Sequence, residues 1–238
     1  ILQEYRDFAA QIDLRDITAF PISAVYGDNI IEAGSNMPWY QGPTLMHHLE
    51  TVEVGDELPS KPFRLPVQWV NRPNHEFRGF AGLISSGTVH QGDRIRVLPS
   101  GRESRVARIV TADGDLESAV AGQSVTLTLD SEIDISRGDV IAEGDAPPQV
   151  ADQFEATVVW MHDDPMLRGR SYLMKIGTRT LTATVAPIKH KINVNTLEQT
   201  AAERLELNDI GVCELELDRP IPFDAYRDDH TLGGFILI

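Results

Sequence analysis

From Arg64 to the C-terminus, short apolar-polar alternations recur about every ten residues, separated by Gly, Pro, Asn and Asp. RLPVQWV, GFAGLIS, GTVHQGDRIRVLPSG, RVARIV, SVTLTLD and RGDVIAE form a first series. FEATVVWM, GRSYLMKIG, TRTLTATVAPI, HKINVNT, GVCELELD and a terminal GGFILI form a second. Successive strand side chains point to opposite faces, so Val125, Leu127 and Leu129 turn one way and Thr126 and Thr128 the other. Leu181, Ala183 and Val185 alternate with Thr180, Thr182 and Thr184 in the same manner. Strands this short, with turns this regular, are the rhythm of antiparallel barrels. Asp113-Gly114-Asp115 has the composition of a hairpin tip.

Two breaks divide the pattern. VGDELPSKPF (Val54 to Phe63) combines Gly, two Pro and mixed charge and reads as a linker; GDAPPQVAD (Gly144 to Asp152) carries consecutive prolines and reads as a second. The expected domains are therefore 62–145 and 150–238, both barrels, behind a different segment at 1–54. That first segment has helical texture. Leu2, Tyr5, Phe8, Ala9 and Ile12 share a helix face, and a second helix follows Thr44, a candidate N-cap, with Leu45, Leu49 and Val52 together. Between them ITAFPIS (Ile17 to Ser23) reads as a buried strand leading into a loop rich in Gly, Asn and Pro. Helix, strand, long loop and helix is the closing pattern of an α/β nucleotide-binding domain. The fold class expected is mainly β: a C-terminal remnant of an α/β nucleotide-binding domain, which the resemblance described below implies is of the P-loop GTPase type, then two antiparallel β-barrels.

The chain opens without an initiator Met, inside a helix, about twenty residues before PISAVYGDNI (Pro21 to Ile30). This leads to the expectation of a longer parent. A loop that follows a strand can aim a backbone N–H at guanine O6, where adenine presents a donor instead. The mismatch strands a buried polar group, at about 1–3 kcal/mol. Ser23, Ala24 and Val25 are the candidate nucleotide-binding residues on this argument, a small Ala24 letting the backbone approach the base.

The span from Pro21 to Val52, with GDNI and MPWYQGPTL, resembles the end of the G domain in translational GTPases of the elongation-factor type. VNRPNHEFRGFAG, VLPSGRESRVARIVT and EIDISRGDVI then resemble the first barrel in the GTPase subunit of bacterial ATP sulfurylase. VVWM, the strand pair around Arg179 to Lys191 and GGFILI extend that resemblance through the second. It implies barrels of the translation-factor type and a parent that binds GTP with Mg²⁺ and hydrolyses it. It also implies a partner, the smaller catalytic subunit, which makes adenylyl sulfate and pyrophosphate from ATP and sulfate. GTP hydrolysis would drive that unfavourable step, in sulfate assimilation feeding cysteine biosynthesis. The family's GxxxxGK[ST], DxxG and NKxD motifs are expected upstream. These residues alone are expected neither to bind GTP measurably nor to be active, because phosphates and Mg²⁺ supply most of the grip.

The alternative of the same fold is a tRNA-binding elongation factor. Charge separates the two: 36 acidic against 21 basic residues, net −15, repel a phosphate backbone. No nucleic acid and no membrane partner is expected. No run approaches the roughly 20 apolar residues of a membrane span, and the lone Cys213 suits a reducing, cytoplasmic setting. It reads as a small apolar residue of a half-buried strand, with Leu215 and Leu217 inward and Val212, Glu214 and Glu216 outward.

The remaining candidates have plainer accounts. Gly79, Gly82 and Gly87 do not join a strand to a helix as a dinucleotide loop requires. Asp113 and Asp115 lack the later ligands of a calcium loop. His47 and His48 are adjacent on a helix and cannot share a metal. His162-Asp163-Asp164-Pro165 reads as a polar turn, and Trp39-Tyr40 as a packing anchor between the first segment and its neighbours. Arg168, Arg170, Lys175, Arg179, Lys189 and Lys191 concentrate positive charge in the second barrel, a solvated face by default or a contact for an acidic partner. No catalytic residue and no metal ligand is expected.

Overall fold

The computed structural model describes residues 1–14, 16–52, 58–74 and 77–238. The chain divides into two compact units, Ile1–Gly55 and Asp56–Ile238. Part of the first linker, 54–57, and His75 and Glu76 of VNRPNHEFRGFAG lie outside the described residues.

The smaller unit contains α1 (Leu2–Gln11), α2 (Leu45–Thr51) and an irregular segment between them. Thr44 caps α2, its Oγ1 accepting from the His47 N–H at 3.3 Å. The apolar face of α1 is present but sparsely covered: only Ala9 is buried, while Leu2, Tyr5 and Ile12 are 42–49% exposed. ITAFPIS corrects the sequence expectation. It is neither a strand nor buried: Ile22 is 45% exposed, and none of the described ladders includes the segment. A strand is stabilised by its cross-strand neighbours, and Ile17 to Ser23 meets none.

In the larger unit the first sheet contains β1 (Arg64–Pro66), β2 (Trp69–Asn71), β3 (Gly79–Leu83), β5 (Arg94–Leu98), β6 (Arg102–Thr111), β7 (Gly114–Leu116), β9 (Ser124–Leu129) and β10 (Val140–Glu143). The hairpin-like pair β4 (Thr88–His90) and β8 (Ser118–Val120) stands beside it. The order is β1-β10-β5-β6-β9-β3-β2, all antiparallel, with β7 on β6. Arg64 N donates to Ser86 O at 2.9 Å and Gln68 N to Ala81 O at 2.9 Å, drawing β1 back against β3. Leu65, Val67, Ile95, Val97, Ile109, Leu127 and Ile141 fill the interior. RLPVQWV splits into two strands at Val67-Gln68. The acidic tip behaves as a turn: Thr111 pairs with Gly114, and Arg108 holds Asp115 through two bonds of 2.6 and 3.0 Å.

The second sheet runs β11 (Gln149–Val159), β17 (Ile210–Phe223), β14 (Arg179–Ile192), β13 (Ser171–Ile176) and β18 (Phe235–Leu237), with β15 (Gln199–Thr200) on β14. β12 (Met166–Leu167) pairs with β16 (Arg204–Leu205) alongside. β11 starts at Gln149, inside the proline-rich break. TRTLTATVAPI and HKINVNT merge into the single long β14. Pro187 has no N–H to donate, and the register shifts on either side of Ile188 absorb it. The curled sheet leaves a cleft of about 1490 Å³ between the ends of its strand order, lined in part by Phe154, Trp160, Tyr172, Phe223 and Phe235.

The two barrels share polar contacts. The Arg64 Nε donates to Asp224 at 2.7 Å and its NH1 to Ala146 O at 2.7 Å. Arg179 reaches back to Gly138 O and to Asp139, at 2.6 and 2.5 Å. Asp229 accepts from Ser85 Oγ at 2.7 Å while capping α3 (His230–Gly233) through Thr231 N and Leu232 N. Leu232 packs with Leu98, Val140 and Ala142.

Cys213 is fully buried on β17, and burial pushes its thiol up to about 11. Val212 is buried too, against the expected outward position, because Gly211 to Cys213 all lie beneath covering structure. Two results follow. Native protein should not react with a neutral-pH thiol reagent on the minutes timescale, whereas protein in denaturant should react stoichiometrically. Because the folded thiol is the weaker acid, the unfolded state loses its proton first. Stability is therefore expected to fall as pH rises from about 9 to about 11. A Cys213→Ala control that retained the full pH slope would assign it to other groups.

Candidate functional site

The candidate nucleotide loop is built from residues that tolerate unusual backbone shapes. Gly27 at φ +76 and Asn29 at φ +59 occupy the left-handed region, which glycine adopts freely and asparagine more readily than most. The Ser23 N–H donates to Asp28 O at 3.2 Å, and Ser23 O accepts from Gly27 N at 2.8 Å. The Ser23 hydroxyl accepts from Tyr26 N at 3.3 Å, a side-chain turn typical of serine. Ser23 thus spends its polar groups on holding the loop shape. Ala24 is exposed and Val25 is 86% exposed at the tip. Among the described residues neither the Ala24 nor the Val25 N–H has a protein acceptor.

Beneath this tip lies a buried polar centre that motif spacing did not single out. Asp28 and Asn29 are 6% and 3% exposed. Asn29 Nδ2 donates to Pro21 O at 2.9 Å, and its Oδ1 accepts from Gly34 N at 3.0 Å. Its own N–H donates to Glu32 O, and its carbonyl accepts from Leu45 N, both at 3.0 Å. Ile30 O takes Met46 N at 2.9 Å, so loop carbonyls satisfy two of the free N–H groups at the start of α2. The Asp28 carboxylate accepts from Asn36 Nδ2 at 3.2 and 2.9 Å. A Cβ on Gly34 would lie 2.0 Å from Asp28 Oδ1, which restricts that position to glycine. The signal was available: Gly-Asp-Asn followed by a Gly five residues after the Asn supplies left-handed residues and short acceptors together.

The other candidates resolve structurally. Trp39 is 71% exposed and its ring meets the Tyr40 ring edge-on at 6.3 Å. His48 leans on Phe20 at 5.0 Å, a ring contact. His162 accepts from Asp164 N, and Trp160 Nε1 donates to Asp164 O, making that motif a tied turn. Half of the basic concentration is neutralised: Arg179 by Asp139, Lys189 by Glu155 and Glu214, Lys191 by Asp209. Lys189 holds the Glu155 carboxyl below its ordinary range. Among the described residues, no group of three or more His, Cys, Asp or Glu is placed to hold a metal, and no helix is long and apolar enough to cross a membrane.

Comparison with known proteins agrees with this architecture. Residues 81–142 match the model of elongation factor Tu domain 2, and residues 153–238 match that of the GTP-eEF1A C-terminal domain-like family. Over its whole length the chain is 51% identical to sulfate adenylyltransferase subunit 1 of Chromobacterium violaceum, covering 50% of that protein. It is 49% identical to the bifunctional enzyme CysN/CysC of Xylella fastidiosa, covering 38% of it. A crystal structure of sup35 complexed with GDP superposes at a TM-score of 0.71 and 22% identity, covering 99% of this chain and 60% of that one, a likeness of fold. The chain spans at most about half the length of the curated relatives it matches.

Proposed function

We propose that this chain, homologous along its whole length to sulfate adenylyltransferase subunit 1, works within a GTP-hydrolysing subunit of sulfate adenylyltransferase. Identity of 48–51% over the whole length of this chain carries the proposal. In it, the whole protein binds GTP with Mg²⁺ and couples its hydrolysis to adenylyl sulfate formation on a smaller catalytic subunit. Segment 1–54 closes the GTP-binding domain, and the barrels at 62–145 and 150–238 present surfaces to the partner.

Among the described residues we assign the contact with the base to Ala24, whose small side chain lets the backbone approach. Its N–H, without an acceptor among the described residues and on a loop braced by Ser23, Gly27 and Asp28, can meet guanine O6, with Ser23 and Val25 flanking it. Phosphates and Mg²⁺ fall to segments outside this sequence. Net charge of −15 and the pairing of Arg179, Lys189 and Lys191 argue against holding RNA on the second barrel.

The test uses the whole protein. With the smaller subunit, ATP and sulfate, GTP should accelerate adenylyl sulfate formation, and a non-hydrolysable analogue should not. Absence of stimulation together with tight aminoacyl-tRNA binding would transfer the chain to the elongation-factor function. Ala24→Trp fills an exposed position, so the barrels should stay folded while GTP affinity falls at least tenfold from loss of a buried-type hydrogen bond and steric occlusion. Unchanged affinity would show that the loop does not face the base.

A further inference from the structure

We infer that Asn29 is the positioning residue for guanine recognition: its buried carboxamide sets the angle at which the Ala24 N–H is presented. The inference rests on the base-facing role proposed above for the Ser23–Val25 loop and adds the device that holds it.

The loop from Pro21 to Asn29 is closed by three cross-connections. Gly27 N to Ser23 O forms the outer one, Ser23 N to Asp28 O the middle one. The innermost is Asn29 Nδ2 to Pro21 O at 2.9 Å, the one of the three made by a side chain; the Ser23 hydroxyl adds only a local turn, accepting from Tyr26 N at 3.3 Å nearer the exposed tip. The same carboxamide uses its oxygen on Gly34 N, fixing the outgoing strand of the loop against the incoming one. Its backbone is anchored in turn to Glu32 and to the first residue of α2. At 3% exposure water cannot substitute for these bonds. Removing the carboxamide leaves the Pro21 carbonyl and the Gly34 N–H without partners, and each such orphan disfavours the closed geometry. Among the described residues, Ala24 and Val25 make no hydrogen bond of their own. Their placement is therefore inherited from the base of the loop, and Asn29 is its side-chain link. Hydrogen bonds weaken steeply with misalignment, so a small rotation of the tip is felt at the ligand.

Asn29→Gly is the informative variant. Glycine keeps the left-handed φ of +59 without strain and removes only the carboxamide. The whole protein is assayed for Kd with GTP and with 2-aminopurine riboside triphosphate, which lacks O6. The analogue also lacks the N1 proton, a difference common to wild type and variant that cancels in the ratio of ratios. We expect Asn29→Gly to weaken GTP about tenfold and the analogue by less than twofold, reducing discrimination by about fivefold or more. Asn29→Asp, which keeps the acceptor for Gly34 N and loses the donor to Pro21 O, should fall between the two. Equal weakening of both nucleotides would mean general loosening and would overturn the inference, as would unchanged discrimination in a folded variant. If Asn29→Gly does not fold, Asn29→Asp and a Met37→Leu neighbour control carry the same comparison. Ala24→Trp separates the two levels: no effect there sinks the base-facing role, whereas an effect there with intact discrimination in Asn29→Gly sinks only the positioning role.

Discussion

Arg64→Met is expected to destabilise the protein by about 3 kcal/mol, the lower end of the cost of removing one partner from a buried ion pair. Arg64 is 5% exposed and joins the barrels through Asp224 and the Ala146 carbonyl. Methionine fills much of the same volume, so packing is largely kept and the loss is electrostatic. It leaves the Asp224 carboxylate, whose side chain is only 20% exposed, beside an apolar group. The pair is not stabilising merely because it is buried. Accordingly Arg64→Met combined with Asp224→Leu should recover at least half of the loss, since no uncompensated charge remains. Urea unfolding of the three proteins measures this. A single-variant cost under 1 kcal/mol would mean that water reaches the pair and screens it, as at an exposed bridge.

Gly87→Ala should cost about 3 kcal/mol or more, from two causes that a control separates. Gly87 has φ +78, where a side chain costs about 1–2 kcal/mol. An added Cβ would also lie 2.4 Å from both Phe63 Cα and Phe63 N, and 2.7 Å from Lys61 O. None of these atoms is free to yield. Gly87 N is held by Leu58 O at 2.7 Å, Ala121 N bonds Gly87 O at 2.9 Å, and Phe63 is 3% exposed. Overpacking of this kind adds about 1–3 kcal/mol. Gly92→Ala is the control: φ is +90, yet nothing lies within 4 Å of its Cβ. It should cost only the backbone share. If both variants cost the same, the contact with Phe63 relaxes freely and the close approach of these segments is not a constraint.

Much of the fold was legible in the residues. The alternation of Leu181, Ala183 and Val185 with threonines matches their burial at 3%, 0% and 0%. The Thr44 cap and the turn between Thr111 and Gly114 were likewise readable, since each depends on neighbours within a few residues. The strand expected at Ile17 to Ser23 was not, because its apolar run was judged without a partner strand. At the candidate loop, Ser23, Ala24 and Val25 came from the sequence and its resemblance, while Asn29 did not. An asparagine in a polar loop has no pattern distinguishing a solvated side chain from one bonded across eight residues to Pro21 O.

The sequence by itself determined which residues alternate, where turns and caps fall and which surface charge the chain carries. Those properties follow from period, backbone preference and composition. Only the tertiary structure decided that Arg64 meets Asp224 across 160 positions, that Arg179 is spent on Asp139 rather than displayed, and that the buried Asn29 carboxamide bonds both Pro21 O and Gly34 N. Such contacts join segments that chain closure brings together, and their energies depend on burial, a quantity that no local pattern contains.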